Sequence, residues 1–188
     1  MSADQASRSG PLVLMGPIAS GKTTAARLLS ERLTWPVISF GAYVRAEAQR
    51  RGIALERGQL EGLGAHLIAT RGHEQFLRDV LQGQVSAVEF VLEGVRHVDM
   101  LRAVKRLFGS ATSVYLHVSA DQRYQRWLQR ERLTDAATAR VMFDEVATGE
   151  VERHVYALEL SADLVADGLL PTEDIAQLVL DFVASDRG

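Results

Sequence analysis

"PLVLMGPIASGKTTAARLL" (residues 11–29) carries the decision about the fold. An unbroken apolar run from Leu12 to Met15 passes into a glycine-bearing loop and then into an alanine- and leucine-rich stretch. The run reads as a strand buried on both faces, as in a parallel sheet. Ala25, Leu28, Leu29 and Leu33 recur at helical spacing, so residues 22–33 read as a helix. Between strand and helix, Gly16, Gly21, Lys22 and Thr23 fit G-x-x-x-x-G-K-[ST]. Gly16 lets the chain turn off the strand, and Gly21 lets the backbone approach a phosphate. The amides from Ile18 to Thr23 are expected to point inward, where the helix start adds partial positive charge. Lys22 would bridge the β and γ phosphates of a nucleotide, and Thr23 would offer its hydroxyl to Mg²⁺. The expected nucleotide-binding set is Gly16, Pro17, Ile18, Ala19, Ser20, Gly21, Lys22, Thr23 and Thr24.

Outward from this loop, short apolar runs alternate with longer amphipathic stretches. That alternation predicts βαβ units, an α/β fold with a five-stranded parallel sheet and helices on both faces. Strands are expected at 11–16, 36–40, 87–94, 112–119 and 162–168. Helices are expected at 22–33, 42–51, about 56–83, 98–108, 120–132, through most of 135–158, and at 171–183. Gly52, Gly58, Gly72 and the Gly62/Gly64 pair are expected to interrupt the second and third of these. Thr172 is a candidate N-cap, with Glu173 and Asp174 at the positive end of the helix dipole.

Composition narrows the function. The 188 residues suit one domain, 11–188, behind a disordered tail at 1–10. A net charge of -3 argues against a nucleic-acid binder. The absence of cysteine excludes disulfides and thiolate chemistry. No signal peptide or spanning segment is present, so no membrane role and a cytoplasmic location are expected. Asparagine is also absent, which removes the Asn-Lys-x-Asp guanine-reading motif of regulatory GTPases. Only two lysines occur, Lys22 and Lys105, and one sits in the loop. The five histidines look scattered, and no zinc site is expected.

Four segments, in order, resemble the nucleoside-monophosphate kinase group. "GPIASGKTT" (16–24) resembles the loop of adenylate and cytidylate kinases. "VISFGAYVRAEAQRRG" (37–52) is similar to the segment in which a glycine opens a helix and an arginine one turn later holds the acceptor's phosphate; here these are Gly41 and Arg45. "FVLEGVR" (90–96) looks like the strand-end "hhhDG-x-x-R" element, with Glu93 where aspartate is usual. "RYQRWLQRERLTDAATARVMFDE" (123–145) resembles the lid helix of dephospho-coenzyme A and adenylate kinases. The resemblance implies a P-loop three-layer sandwich with a helical acceptor-binding insertion, about 41–83, and a lid, about 120–148. It implies ATP and Mg²⁺ as donor and metal.

Residue roles follow from the charge that phosphoryl transfer must neutralise. Lys22, Arg126 and Arg130 are the catalytic candidates. Arg123, Arg126 and Arg130 recur at helical spacing, and like charges on one face call for an anion opposite. Gly41, Arg45, Glu93 and Arg96 are the acceptor-binding candidates, since a planar guanidinium suits an anionic group. Thr23 and Glu93 are the metal candidates. Trp35 and Trp127 are read as packing, His97 as a surface residue, and Arg140 as a further lid residue. The sequence therefore predicts an ATP-dependent phosphotransferase acting on a small phosphorylated acceptor, a nucleoside monophosphate by preference, as monomer or homodimer. A non-nucleotide acceptor, such as dephospho-coenzyme A or a natural-product hydroxyl, is the alternative within enzymes. An ATP-binding regulator without an acceptor is the alternative of another class.

Overall fold

β1 (Leu12–Met15) is buried along its whole length. Leu12 and Leu14 enter one core, Val13 and Met15 another, so helices must cover both faces. In the computed structural model, which describes residues 10–82, 88–132 and 135–185, β1 is the centre of a five-stranded sheet. The other strands are β2 (Val37–Ser39), β3 (Val91–Glu93), β4 (Thr112–His117) and β5 (Leu164–Asp167). The order is β2-β3-β1-β4-β5, and every pair is parallel. Leu14 is level with Glu93 on one side and Val114 on the other. The loop after β1 and the carboxylate ending β3 therefore emerge together at the carboxyl edge, where ligands bind in such sheets.

One face is covered by α1 (Lys22–Leu33) and α8 (Thr172–Ser185), whose Ala25, Leu29, Ile175 and Val179 pack with Leu12, Leu14 and Val114. The other face is covered by α2 (Phe40–Arg50), α3 (Arg57–Leu81), α4 (Val98–Phe108) and α7 (Glu150–Ala157). A third, smaller core joins α5 (Ala120–Glu131) to α6 (Ala136–Ala147) through Tyr124, Trp127 and Phe143, with Ile18 of the loop inserted among them. The two tryptophans do pack: Trp127 in this cluster and Trp35 against the α1/α8 core.

The sheet and both helical layers agree with expectation; the boundaries differ for local reasons. Phe40 belongs to α2, because the Ser39 side chain accepts from the Ala42 amide and starts the helix there. The α3 helix runs through Gly58, Gly62 and Gly64, and only Gly72 departs from helical geometry, at φ 77 and ψ 162. Each interior glycine costs about 1 kcal/mol relative to alanine. Burying Leu63, Leu67, Phe76 and Leu77 contributes about 1.5–3 kcal/mol apiece and outweighs that cost. The 135–158 stretch divides at Gly149 into α6 and α7. Thr172 is the first residue of α8 rather than its cap. The expected start of β3 at 87 and most of the expected tail lie outside the described residues. Gly10, at its end, is buried, and a Cβ there would lie 2.5 Å from the Ser110 carbonyl oxygen. Among the described residues no helix is long and apolar enough to cross a membrane.

Candidate active site

The loop takes its shape from three left-handed or glycine-favouring positions: Gly16 at φ 145, Ala19 at φ 60 and Gly21 at φ 92. A Cβ at Gly16 would lie 2.8 Å from Ser20 Oγ and 2.9 Å from the Leu116 carbonyl oxygen, so no other residue fits. One expectation needs correction. The Ile18 amide does not face inward; it donates to Glu152 Oε2 at 2.9 Å. The Ser20 amide is used within the loop, on the Pro17 carbonyl at 3.2 Å. The inward-facing set is therefore smaller than the motif suggests.

Lys22 folds back and donates to the Pro17 carbonyl at 3.0 Å. Burial lowers its pKa to about 8; the Arg96 charge adds to this, Glu152 and Glu93 oppose it, and Arg130 lowers it a little more. The Thr23 hydroxyl donates to Glu93 Oε2 at 2.8 Å. The longer side chain of Glu93 is what reaches across from β3. Two such oxygens side by side suit a hard divalent cation. Ser20 Oγ is buried without a partner among the described residues. A cavity of about 370 Å³ opens over the loop, with Lys22, Thr24, Arg126, Leu170 and Ile175 in its walls. These residues fit a nucleotide triphosphate with its metal.

The arginines of α5 do not share one role. Arg126 reaches the loop, donating to the Ser20 carbonyl at 3.3 Å and to that of Gly168 at 2.8 Å. Arg130 lines the same cavity and pairs with Glu131 at 2.7 Å. Arg123 departs from the expected shared face. It is 2% exposed and donates to the carbonyls of Val118 and Ile18 and to the Tyr156 hydroxyl. Its guanidinium lies against the Phe143 and Tyr156 rings, so it braces the loop from below. Arg140 pairs with Asp121 and Asp144 and lies over Tyr124.

On the other side of Glu93, Gly94 adopts φ 91 and packs against Phe40 and Gly41. This brings the β3 end against the start of α2. The Arg45 guanidinium curls over Gly41, within 3.5 Å of where a Cβ would sit. The neighbouring Arg50 and Arg51 are both held by Glu47, whose carboxyl they keep down at about 2. Arg45 has no ion pair among the described residues. Arg96 donates to Glu152 Oε1 at 2.9 Å.

Two features escaped the sequence. Glu152, 1% exposed on α7, touches both the loop and Arg96. It looked like one more acid in a charged helix, and no spacing rule connects it to residue 18. The histidines are also less scattered than they looked. His97 and His154 approach Nδ1 to Nδ1 at 3.0 Å, with His73 edge-on to His97. His97 is partly buried, not the surface residue expected. Among the described residues no cluster of metal-ligand side chains appears.

The chain is similar to several known proteins. A family model described as an AAA domain matches residues 12–142. A UPF0200 protein of Pyrobaculum aerophilum is 31% identical over 124 residues, 66% of this chain and 68% of that one. An adenylate kinase of Corynebacterium diphtheriae is 31% identical over 131 residues, 66% of this chain and 72% of that one. In fold, a gluconokinase from Sinorhizobium meliloti superposes with a TM-score of 0.55 at 17% identity, covering 96% of this chain and 94% of its own. With its nucleotide-binding loop at the carboxyl edge of a parallel sheet, the chain belongs to the P-loop kinase family of the AAA-domain model and adenylate kinase.

Proposed function

We propose that the protein transfers the γ-phosphoryl group of ATP to a small acceptor that already carries a phosphate, a nucleoside monophosphate by preference. One observation carries this reading. Around the acceptor side, Glu47, Glu61 and Glu152 each accept from an arginine, and Glu93 accepts from Thr23. The first three are each already engaged by a cation, and Glu93 is taken up with Thr23 in the metal role. Arg45 is meanwhile a cation without an ion pair among the described residues. A phosphate oxygen is already ionised at neutral pH, so it needs a cationic clamp and no base.

The roles follow. The loop, with Lys22, holds the β and γ phosphates. Mg²⁺, held by Thr23 and Glu93, would neutralise charge on the donor's phosphates. Arg45 over Gly41, with Arg96, orients the acceptor anion. Residues 120–148 act as a lid, whose Arg126 and Arg130 approach the transferring group and exclude water. The test is ADP formation from Mg·ATP in the presence of single nucleoside monophosphates. ADP release that depends on one of them is the expected result. ATP binding with no dependence on any acceptor would favour a regulator instead.

A further inference from the structure

The loop's Ile18 is held from both sides of its backbone. Its amide donates to Glu152 Oε2 at 2.9 Å, and its carbonyl accepts from Arg123 at 3.5 Å. The other oxygen of Glu152 takes Arg96 at 2.9 Å, with Arg57 of α3 at 3.9 Å. Arg96 and Arg57 keep 39% and 38% of their side-chain surface open, whereas Glu152 keeps 1%. So one buried carboxylate joins the donor loop to two half-open cations on the acceptor side. A carboxylate at this depth cannot lose a partner without consequence, because an uncompensated buried charge is costly. Any shift of Arg96 toward an anion must therefore be felt at Ile18.

We propose that Glu152 is a positioning residue that couples the two half-sites: it fixes the donor loop through Ile18 and orients Arg96 toward the acceptor, so that occupancy of one side is read by the other. This rests on the acceptor role given to Arg96 above. The geometry gives Glu152 of α7 a role between the loop and Arg96. It also explains why a loop amide that could face a phosphate is turned away from one.

The test uses the full chain and a donor analogue, the Mg²⁺ complex of the non-hydrolysable imido analogue of ATP, so it does not depend on knowing the acceptor. Its affinity is measured by calorimetry for the wild type, R96A, E152Q, E152A and the R96A/E152Q double variant, with circular dichroism to establish folding. The Ile18 amide proton shift is followed by NMR. Expected results are as follows. E152A weakens the analogue about tenfold, and E152Q, which keeps an acceptor for the Ile18 amide, recovers most of that loss. R96A weakens it about threefold and moves the Ile18 amide signal, although Arg96 makes no hydrogen bond to the Ile18 backbone among the described residues. In the E152Q background R96A does neither. If E152A fails to fold, the E152Q and R96A cycle alone decides. Additive effects, or an unmoved Ile18 signal in R96A, overturn the coupling while leaving the donor loop's reading intact. Failure of the wild type to bind the analogue overturns both.

Discussion

The donor loop and the acceptor side are built in opposite ways. The loop's motif lies within nine consecutive residues, Gly16 to Thr24, and most of its work falls to backbone conformation, steadied from outside by Glu152 and Arg123 at Ile18. The proposed acceptor side is assembled from the start of α2, the turn after β3, the first turn of α3 and, through Glu152, α7. Its work falls to side chains whose availability depends on which carboxylates have already claimed them. Arg45 and Arg50 are five positions apart on one helix, yet one is clear of ion pairs among the described residues and the other is bound to Glu47. A motif can therefore announce the first region, while the second becomes visible only after pairing is known.

The largest effect should come from the loop. Lys22→Ala should lower phosphoryl transfer more than about a thousandfold with circular dichroism unchanged, since it removes the cation proposed to neutralise charge on the transferring group. Near-normal transfer in that variant would break the comparison at its firmer end. A smaller effect, confined to the other region, is expected of Arg45→Ala. Steady-state kinetics should show the KM for the acceptor raised about 10- to 100-fold, with the KM for ATP unchanged. A variant that weakens ATP and acceptor alike would mean that the two regions are not separable at Arg45.

The smallest effect concerns stability and pH. Burial, then the neighbouring His154 and His73, lower the pKa of His97, with Arg96 adding to this and Asp99 opposing it. The folded chain then holds fewer protons there than the unfolded chain, so stability is lost as pH falls through the ordinary value of 6.5 toward the folded one. Urea midpoints should drop more steeply between about pH 7.5 and pH 5.5 in the wild type than in His97→Gln. Equal slopes would show that the histidine contact between the α4 start and α7 carries no charge dependence.

Much of the fold was legible because its signals are local. Leu12 to Met15, followed by glycine and lysine, specifies a buried strand ending in a phosphate-binding turn, and alternation of element types supplies the parallel sheet. Gly72 interrupts α3 as expected, but Gly58, Gly62 and Gly64 misled, because propensity weighs one position at a time, whereas Leu63, Leu67 and Phe76 act together through the core. In the site, Thr23 and Glu93 were named together as metal candidates, and the sheet register that sets Leu14 level with Glu93 is what brings them side by side. Arg123 was misread because helical spacing assigns it a face but says nothing of the aromatic rings of α6 and α7 that enclose it. Glu152 was invisible for a plainer reason: its partner Ile18 lies 134 residues away.

In the proposed reaction the acceptor attacks through an ionised phosphate oxygen. Phosphorus NMR of the product tests this most directly, in a reaction offered both a nucleoside monophosphate and the matching nucleoside. The account predicts signals of a new phosphoanhydride, with the nucleoside untouched. A new phosphate monoester on a hydroxyl would contradict it.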